Sequence, residues 1–239
     1  MTIPRTVKGL SLVSLFNDFA SEMVYPLLPA LVTRTLGGGA LALGVLDGAA
    51  DLASALFKIV SGRLADRPGW RSRLILGGYA TAVVVRPLIA AASAAWQVVG
   101  LRVVDRLGKG IRTPPRDAVI AEVTPPELRG RAFGFHRGAD HFGAVLGSLA
   151  AWLLLSAGMD LSRVIAWSLA PGLAAFVLLT AVLRTRSSGP SSRRPETGDP
   201  PTDASGRVFW APVLALTTLS FFRLPETLLI LRLQDLGVG

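Results

Sequence analysis

Six ionisable residues, Asp18, Glu22, Asp51, Asp105, Arg106 and Asp140, stand in long stretches that are otherwise mostly apolar. If those stretches cross a bilayer, a charge at its centre costs roughly 2.5–3.5 kcal/mol on insertion scales. Such groups therefore face a bundle interior or a watery cavity. A carboxylate or histidine there takes up and releases protons once burial has shifted its affinity. An arginine beside it holds an anion or tunes that affinity. His136 and Arg137 add to the set, because His136 and Asp140 are i,i+4 neighbours on a helix, as are Arg137 and His141. The chemistry on offer is reversible binding of protons and small charged species. Any one of these residues could equally be a structural ion pair. Four helices carrying the same insertion penalty favour a common site.

Other chemistries lack their residues. Gly108-Lys109 is without the earlier glycine and the following Ser or Thr of a phosphate-binding loop. No H-E-x-x-H or G-x-S-x-G occurs. His136 and His141 are five apart, so they face different sides of a helix and make a poor metal pair. The chain has no cysteine, which excludes disulfides, thiolate metal sites and cysteine nucleophiles. An enzyme is not expected, and neither is a cofactor or a metal. Composition agrees. The 239 residues are 51% hydrophobic and 17% charged, and the mean hydropathy is +0.49. A soluble domain of this size could not bury that much apolar surface. The net charge of +9 is then assigned to loops between membrane spans, not to nucleic acid. The apolar stretch after Arg5 and Lys8 is long and holds Asp18 and Glu22, so it is not a cleavable signal.

Seven stretches are long enough to span about 30 Å of hydrocarbon: 10–34, 41–61, 74–95, 96–121, 131–156, 163–183 and 209–235. The fourth is the weakest, since it carries Arg102, Asp105, Arg106, Lys109 and Arg112. Lys and Arg fall 15 to 2 on one side of the connections, which predicts a cytoplasmic N-terminus. Helical rise then puts Glu22 about 18 Å deep, Asp51 about 15 Å with Asp47 one turn above it, and Asp105, Arg106 and Asp140 about 14–15 Å. Lys58 lies near the end of its span and snorkels. Residues 184–208 are rich in Ser, Pro, Gly and Arg and read as a flexible cytoplasmic linker between six helices and a seventh. Gly44/Gly48, Gly134/Gly138 and Gly143/Gly147 have the spacing that permits close helix approach.

The junction of the second and third spans reads Gly62-Arg63-Leu64-Ala65-Asp66-Arg67-Pro68-Gly69-Trp70-Arg71. It resembles the signature loop of the major facilitator superfamily, at the expected place. Arg106-Leu107-Gly108-Lys109-Gly110 is similar to that family's helix 4 motif, and 125–132 to its helix 4–5 junction. Gly138, Gly143 and Gly147 resemble the helix 5 glycine motif of its proton-coupled exporters. Two local departures stand out. Trp70 replaces the first basic residue after the loop glycine, with Arg71 next, and Ser148 stands where the exporters have proline.

The resemblance implies an all-α polytopic bundle. Residues 1–183 would be a six-helix half, 184–208 the central loop and 209–239 the start of a second half, with five further helices expected beyond it. It implies a secondary transporter of a small solute, proton-coupled and exporting, in the inner membrane of a bacterium. The loop residues Gly62, Asp66, Arg67, Gly69 and Arg71 would latch the two halves, and the helix 5 glycines would form a hinge. The substrate and proton site would draw on Asp18, Glu22, Asp51, Asp105, Arg106, His136, Arg137 and Asp140. Partners would be the substrate, protons, the lipid bilayer, and a second half or a second copy. The rival reading is a membrane assembly subunit, or an inactive fragment, that transports nothing.

Overall fold

The computed structural model describes residues 2–67, 69–187, 214, 215, 218 and 226–236. Helix α1 spans Arg5–Glu22 and continues as a 3-10 turn, Tyr25–Leu27, a single α-turn, Leu28–Ala30, and a wider π-turn, Leu31–Thr35. Pro26 and Pro29 explain the break, because each removes a backbone donor and crowds the preceding turn. Then follow α2 (Ala40–Ala65), α3 (Trp70–Ile89), α4 (Ala95–Val123) and α5 (Arg129–Ser156). The sixth unit, α6, is Leu161–Trp167 and Leu169–Ser187 in succession. Last comes α7, Glu226–Asp235. No strand occurs among the described residues. The molecule is an all-α bundle, and its first six helices match the first six predicted spans to within a few residues, α3 apart. That helix stops at Ile89 because Ala90, Ala91 and Ala92 each turn back to a carbonyl three residues earlier. The linker, and most of the seventh predicted span, lie outside the described residues.

Four of the described helical stretches are long and apolar enough to cross a membrane: those of α2, α3, α5 and α6. Helix α1 is interrupted, and α4 carries its charges inside. Large apolar side chains face outward, among them Leu52, Leu56 and Ile59 of α2 and Phe142, Val145 and Trp152 of α5. In water such a surface would be a liability; against lipid it is the stable arrangement.

Helix α1 packs against α5 and α6, α2 against α4, and α3 against both α4 and α6. Two apolar cores result. One gathers Met23, Leu28, Leu43, Ile89 and Val164, and the other Val7, Leu10, Ile75, Ile120 and Leu179. Buried polar residues, including Asn17, Arg86 and Asp105, lie between them along the chain's helices. Helix α7 packs on α2 and on Leu28–Ala30, with Leu228 and Leu231 against the first core.

Glycine matters most in two places. Gly69 adopts φ 78°, the left-handed conformation that lets α2 reverse into α3. On α5, a Cβ at Gly143 or Gly147 would run into the backbone carbonyls of Leu15 and Phe19, so α1 and α5 touch backbone to backbone. The other predicted pairs do not pack: a Cβ at Gly44, Gly48, Gly134 or Gly138 would meet nothing within 4 Å. Helix α5 also runs unbroken through Gly147 and Ser148.

Candidate functional site

The most deeply buried charges form an ionic knot. Asp105 of α4 accepts from Arg86 Nε of α3 at 3.0 Å and from Arg102 Nη1 at 3.3 Å, and all three side chains are at least 95% buried. Arg86 Nη1 also donates to the backbone oxygen of Asn17 at 2.8 Å and to its Oδ1 at 3.2 Å. Three helices are thus tied by one guanidinium. One carboxylate sits between two arginines, and Arg102 keeps its Nε and Nη2 buried without hydrogen-bond partners among the described residues; the arrangement still suits structure, because loss of its single anion would leave two buried cations unpaired. Arg102 stacks 4.4 Å over the Tyr25 ring, and Arg106 lies 5.8 Å from the same ring.

A second group is only partly buried. Asp18, Glu22, Arg106 and Lys109 line neighbouring turns of α1 and α4. Glu22 lies in the electrostatic field of Asp18, Arg102, Lys109 and Arg106, and Lys109 in that of Arg106 and Asp18. Asn17 Nδ2 donates to Asp18 Oδ1 at 2.9 Å, linking this group to the knot. Helix spacing explains the row: Arg102, Arg106, Lys109, Arg112 and Arg116 recur every three or four residues, down one side of α4.

A third group surrounds His136 of α5, which is fully buried. Its Nδ1 lies 3.3 Å from Ser11 Oγ and its Nε2 lies 3.4 Å from Ser14 Oγ, both on α1. Ser14 Oγ accepts from Arg116 Nη1 at 3.0 Å and meets Tyr79 Oη at 3.3 Å. Asp140 is 3.8 Å from His136 Nε2 and 3.5 Å from Arg137 Nη1.

Set against the residues picked from the sequence, Asp18, Glu22 and Arg106 come together, and His136, Arg137 and Asp140 come together. Asp105 goes instead into the structural knot. Asp51 is exposed on α2, and its field, like that of Asp47, acts on Tyr25. Arg137 pairs with Asp140, not with His141, which is exposed. Arg112 and Arg116 are not loop charges. Both are buried in α4, Arg112 donating to the Gly78 oxygen at 3.0 Å and stacking 4.7 Å over Tyr79. Sequence reasoning missed Arg86, Asn17, Ser14, Tyr25 and Tyr79. Only Arg86 carried a signal, a lone cation within the apolar third span.

At the α2–α3 turn, Asp66 and Arg67 are exposed and Arg71 forms an ion pair with Glu122 near the end of α4. Elsewhere, an apolar cleft of about 370 Å³ opens between α1, α5 and α6, lined by Phe19, Met23, Leu154 and Trp167 among others; it offers no polar group to a ligand.

The sequence profile of the Major Facilitator Superfamily matches residues 10–238. An uncharacterized MFS-type transporter of Methanocaldococcus jannaschii is 35% identical over 153 residues, 64% of this chain and 38% of that protein. An uncharacterized protein of Mycobacterium bovis is 32% identical over 176 residues, 73% of this chain and 43% of its own length. The multidrug resistance protein MdtH of Edwardsiella ictaluri is 32% identical over 139 residues, 55% of this chain and 33% of that protein. The matches thus span less than half the length of each relative. Among solved structures, a bacterial homolog of the human lysosomal transporter Spinster, inward-facing and unoccupied, superposes with a TM-score of 0.63 at 20% identity. That match covers 82% of this chain and 45% of that one, and it speaks to the fold.

Proposed function

The chain belongs to the major facilitator superfamily, and we propose that it forms the substrate-binding first part of a secondary transporter. The transporter moves a small solute across a bacterial inner membrane by alternating access, coupled to protons and in the export direction. One observation carries this reading. Asp18, Glu22, Arg106 and Lys109 are held half-buried in the bundle, while the neighbouring Arg86–Asp105–Arg102 knot is shut off from solvent. Structural charges have no reason to stay open at that depth; a site that exchanges ligand does. The similarity to the multidrug resistance protein of Edwardsiella ictaluri supports drug-like compounds as the substrate class. Residues 1–183 act as one half, with 184–208 as the central loop and the N-terminus in the cytoplasm.

The direct test is flux. Reconstitute the chain together with the second half of the transporter in liposomes with a trapped pH-sensitive dye, impose a proton gradient and add a panel of lipophilic drugs. Compound-dependent proton movement is expected, saturable and reduced by Glu22→Gln or Arg106→Ala without loss of expression. Normal flux in both variants would dismiss the site. Orientation is tested separately. The chain has no cysteine, so single cysteines at Ser72, Ser162 and Ser191 label cleanly. An impermeant reagent should reach Ser162 from outside, and Ser72 and Ser191 only from the cytoplasm.

A further inference from the structure

Hydrogen positions around His136 follow from counting donors. Ser11 has one hydroxyl hydrogen and donates it to the Val7 oxygen at 2.8 Å. Its contact with His136 Nδ1 at 3.3 Å therefore needs a hydrogen on the ring nitrogen, so Nδ1 carries the imidazole proton. In the neutral ring Nε2 is then a bare acceptor. Nε2 faces Ser14 Oγ at 3.4 Å and Asp140 Oδ1 at 3.8 Å. Ser14 also has a single hydrogen, and it borders both His136 and Asp140. It cannot serve both. The Asp140 oxygen nearest the ring, Oδ1, is buried and has no hydrogen-bond partner among the described residues. Two acceptors thus face each other with no hydrogen between them, inside a bundle where an unsatisfied buried polar atom costs about 1–3 kcal/mol.

We infer that His136 Nε2 and Asp140 Oδ1 together form a one-proton site, and that its occupancy switches Asp140 between Arg137 and His136. This deepens the transport reading, on which it rests, by naming the seat of the coupled proton. When the site is empty, Asp140 leans on Arg137, 3.5 Å away, as the structure shows. When it is filled, one added proton bridges Oδ1 and Nε2, closes the 3.8 Å gap and frees Arg137, whose side chain is 57% exposed on the outer face of α5. The proton is taken from water and returned to it: one N–H or O–H bond forms at the pair, and the Asp140–Arg137 contact breaks. The surrounding groups are Ser11, Ser14 and Asp18 from α1, Tyr79 from α3, Arg116 with its partner Asp117 from α4, and Arg137 from α5. With so many charges near, the pair titrates as a unit and the midpoint belongs to both residues.

The chain has two histidines, which makes nitrogen NMR decisive. Label the imidazoles with ¹⁵N in the full chain in nanodiscs and remove the exposed second signal with His141→Gln. At high pH His136 should show the Nδ1–H tautomer. On acidification Nε2 should shift in one step, and Asp140→Asn should move that step by at least tenfold in proton activity. Arg137→Gln keeps the test alive should Asp140→Asn not fold: loss of this cation should raise the midpoint pH. An Nε2–H tautomer at high pH, or a titration unchanged by both variants, overturns the inference. Flux is read independently. A titrating pair in a complete transporter that moves no solute upholds the site while the transport reading falls, and flux without titration does the reverse.

Discussion

Asp105 and Asp140 are two aspartates at similar depth, and the bundle settles them in opposite ways. Asp105 receives one hydrogen bond from each of two buried arginines. Asp140 has one long contact to an exposed arginine and one buried oxygen without a partner among the described residues. The same residue type under the same insertion penalty becomes a rivet in one place and an open valence in the other. Position on the helix makes the difference. Asp105 points at the seam where α3, α4 and α1 meet. Asp140 sits at the α1–α5 contact, where Gly143 and Gly147 bring the backbones together and the nearby Arg116 is engaged by Asp117 and Ser14.

The largest effect should follow from breaking the rivet. Asp105→Asn leaves Arg86 and Arg102 buried without their anion, and one-sided loss of a buried pair costs about 3–5 kcal/mol. Thermal unfolding in detergent should show a strongly lowered midpoint, or expression should fail. A wild-type melt would erase the contrast with Asp140. Next comes the seam itself. Gly143→Leu forces a side chain into the α1 backbone, and overpacking of this kind costs about 1–3 kcal/mol. The same melt should register it, and the substitution should also disturb the His136 signal, since Ser11 and Ser14 ride on α1.

Asp140→Asn should be mild for folding, within about 1 kcal/mol, because one of its oxygens is already unsatisfied and Arg137 reaches water. Its signature is functional: flux that changes with pH in the wild type should become flat. A variant as unstable as Asp105→Asn would make Asp140 a second rivet. Arg71→Ala is the reference for a surface pair. Its side chain is 31% exposed, so loss of the Glu122 contact should change stability by at most about 1 kcal/mol. A larger loss would mean that the α2–α3 turn is anchored through α4.

Much of the architecture was legible because lipid leaves few choices. An apolar stretch that must satisfy its own backbone becomes a helix of about the bilayer's thickness. Four such helices, α2, α3, α5 and α6, therefore emerged at nearly their predicted places, and even the polar α4 followed from the need to connect its neighbours. The exceptions are local. Pro26 and Pro29 broke the end of the first span, and turn hydrogen bonds shortened α3. The charged residues were legible as unusual, since each stood out against an apolar background.

Which charge meets which was not legible. A helix puts side chains three or four apart on one face, but the angle at which that face meets its neighbours comes from packing across the whole bundle. Arg86, 19 residues from Asp105 in sequence, closes on it only because α3 lies against α4. His136 meets Ser11 and Ser14 more than 120 residues away because two glycines let α1 approach α5. The sequence by itself determined that charges would lie inside an apolar bundle. The tertiary structure alone decided which were neutralised and which were left open, because neutralisation is a matter of a few ångströms between helices that the chain's own periodicity does not set.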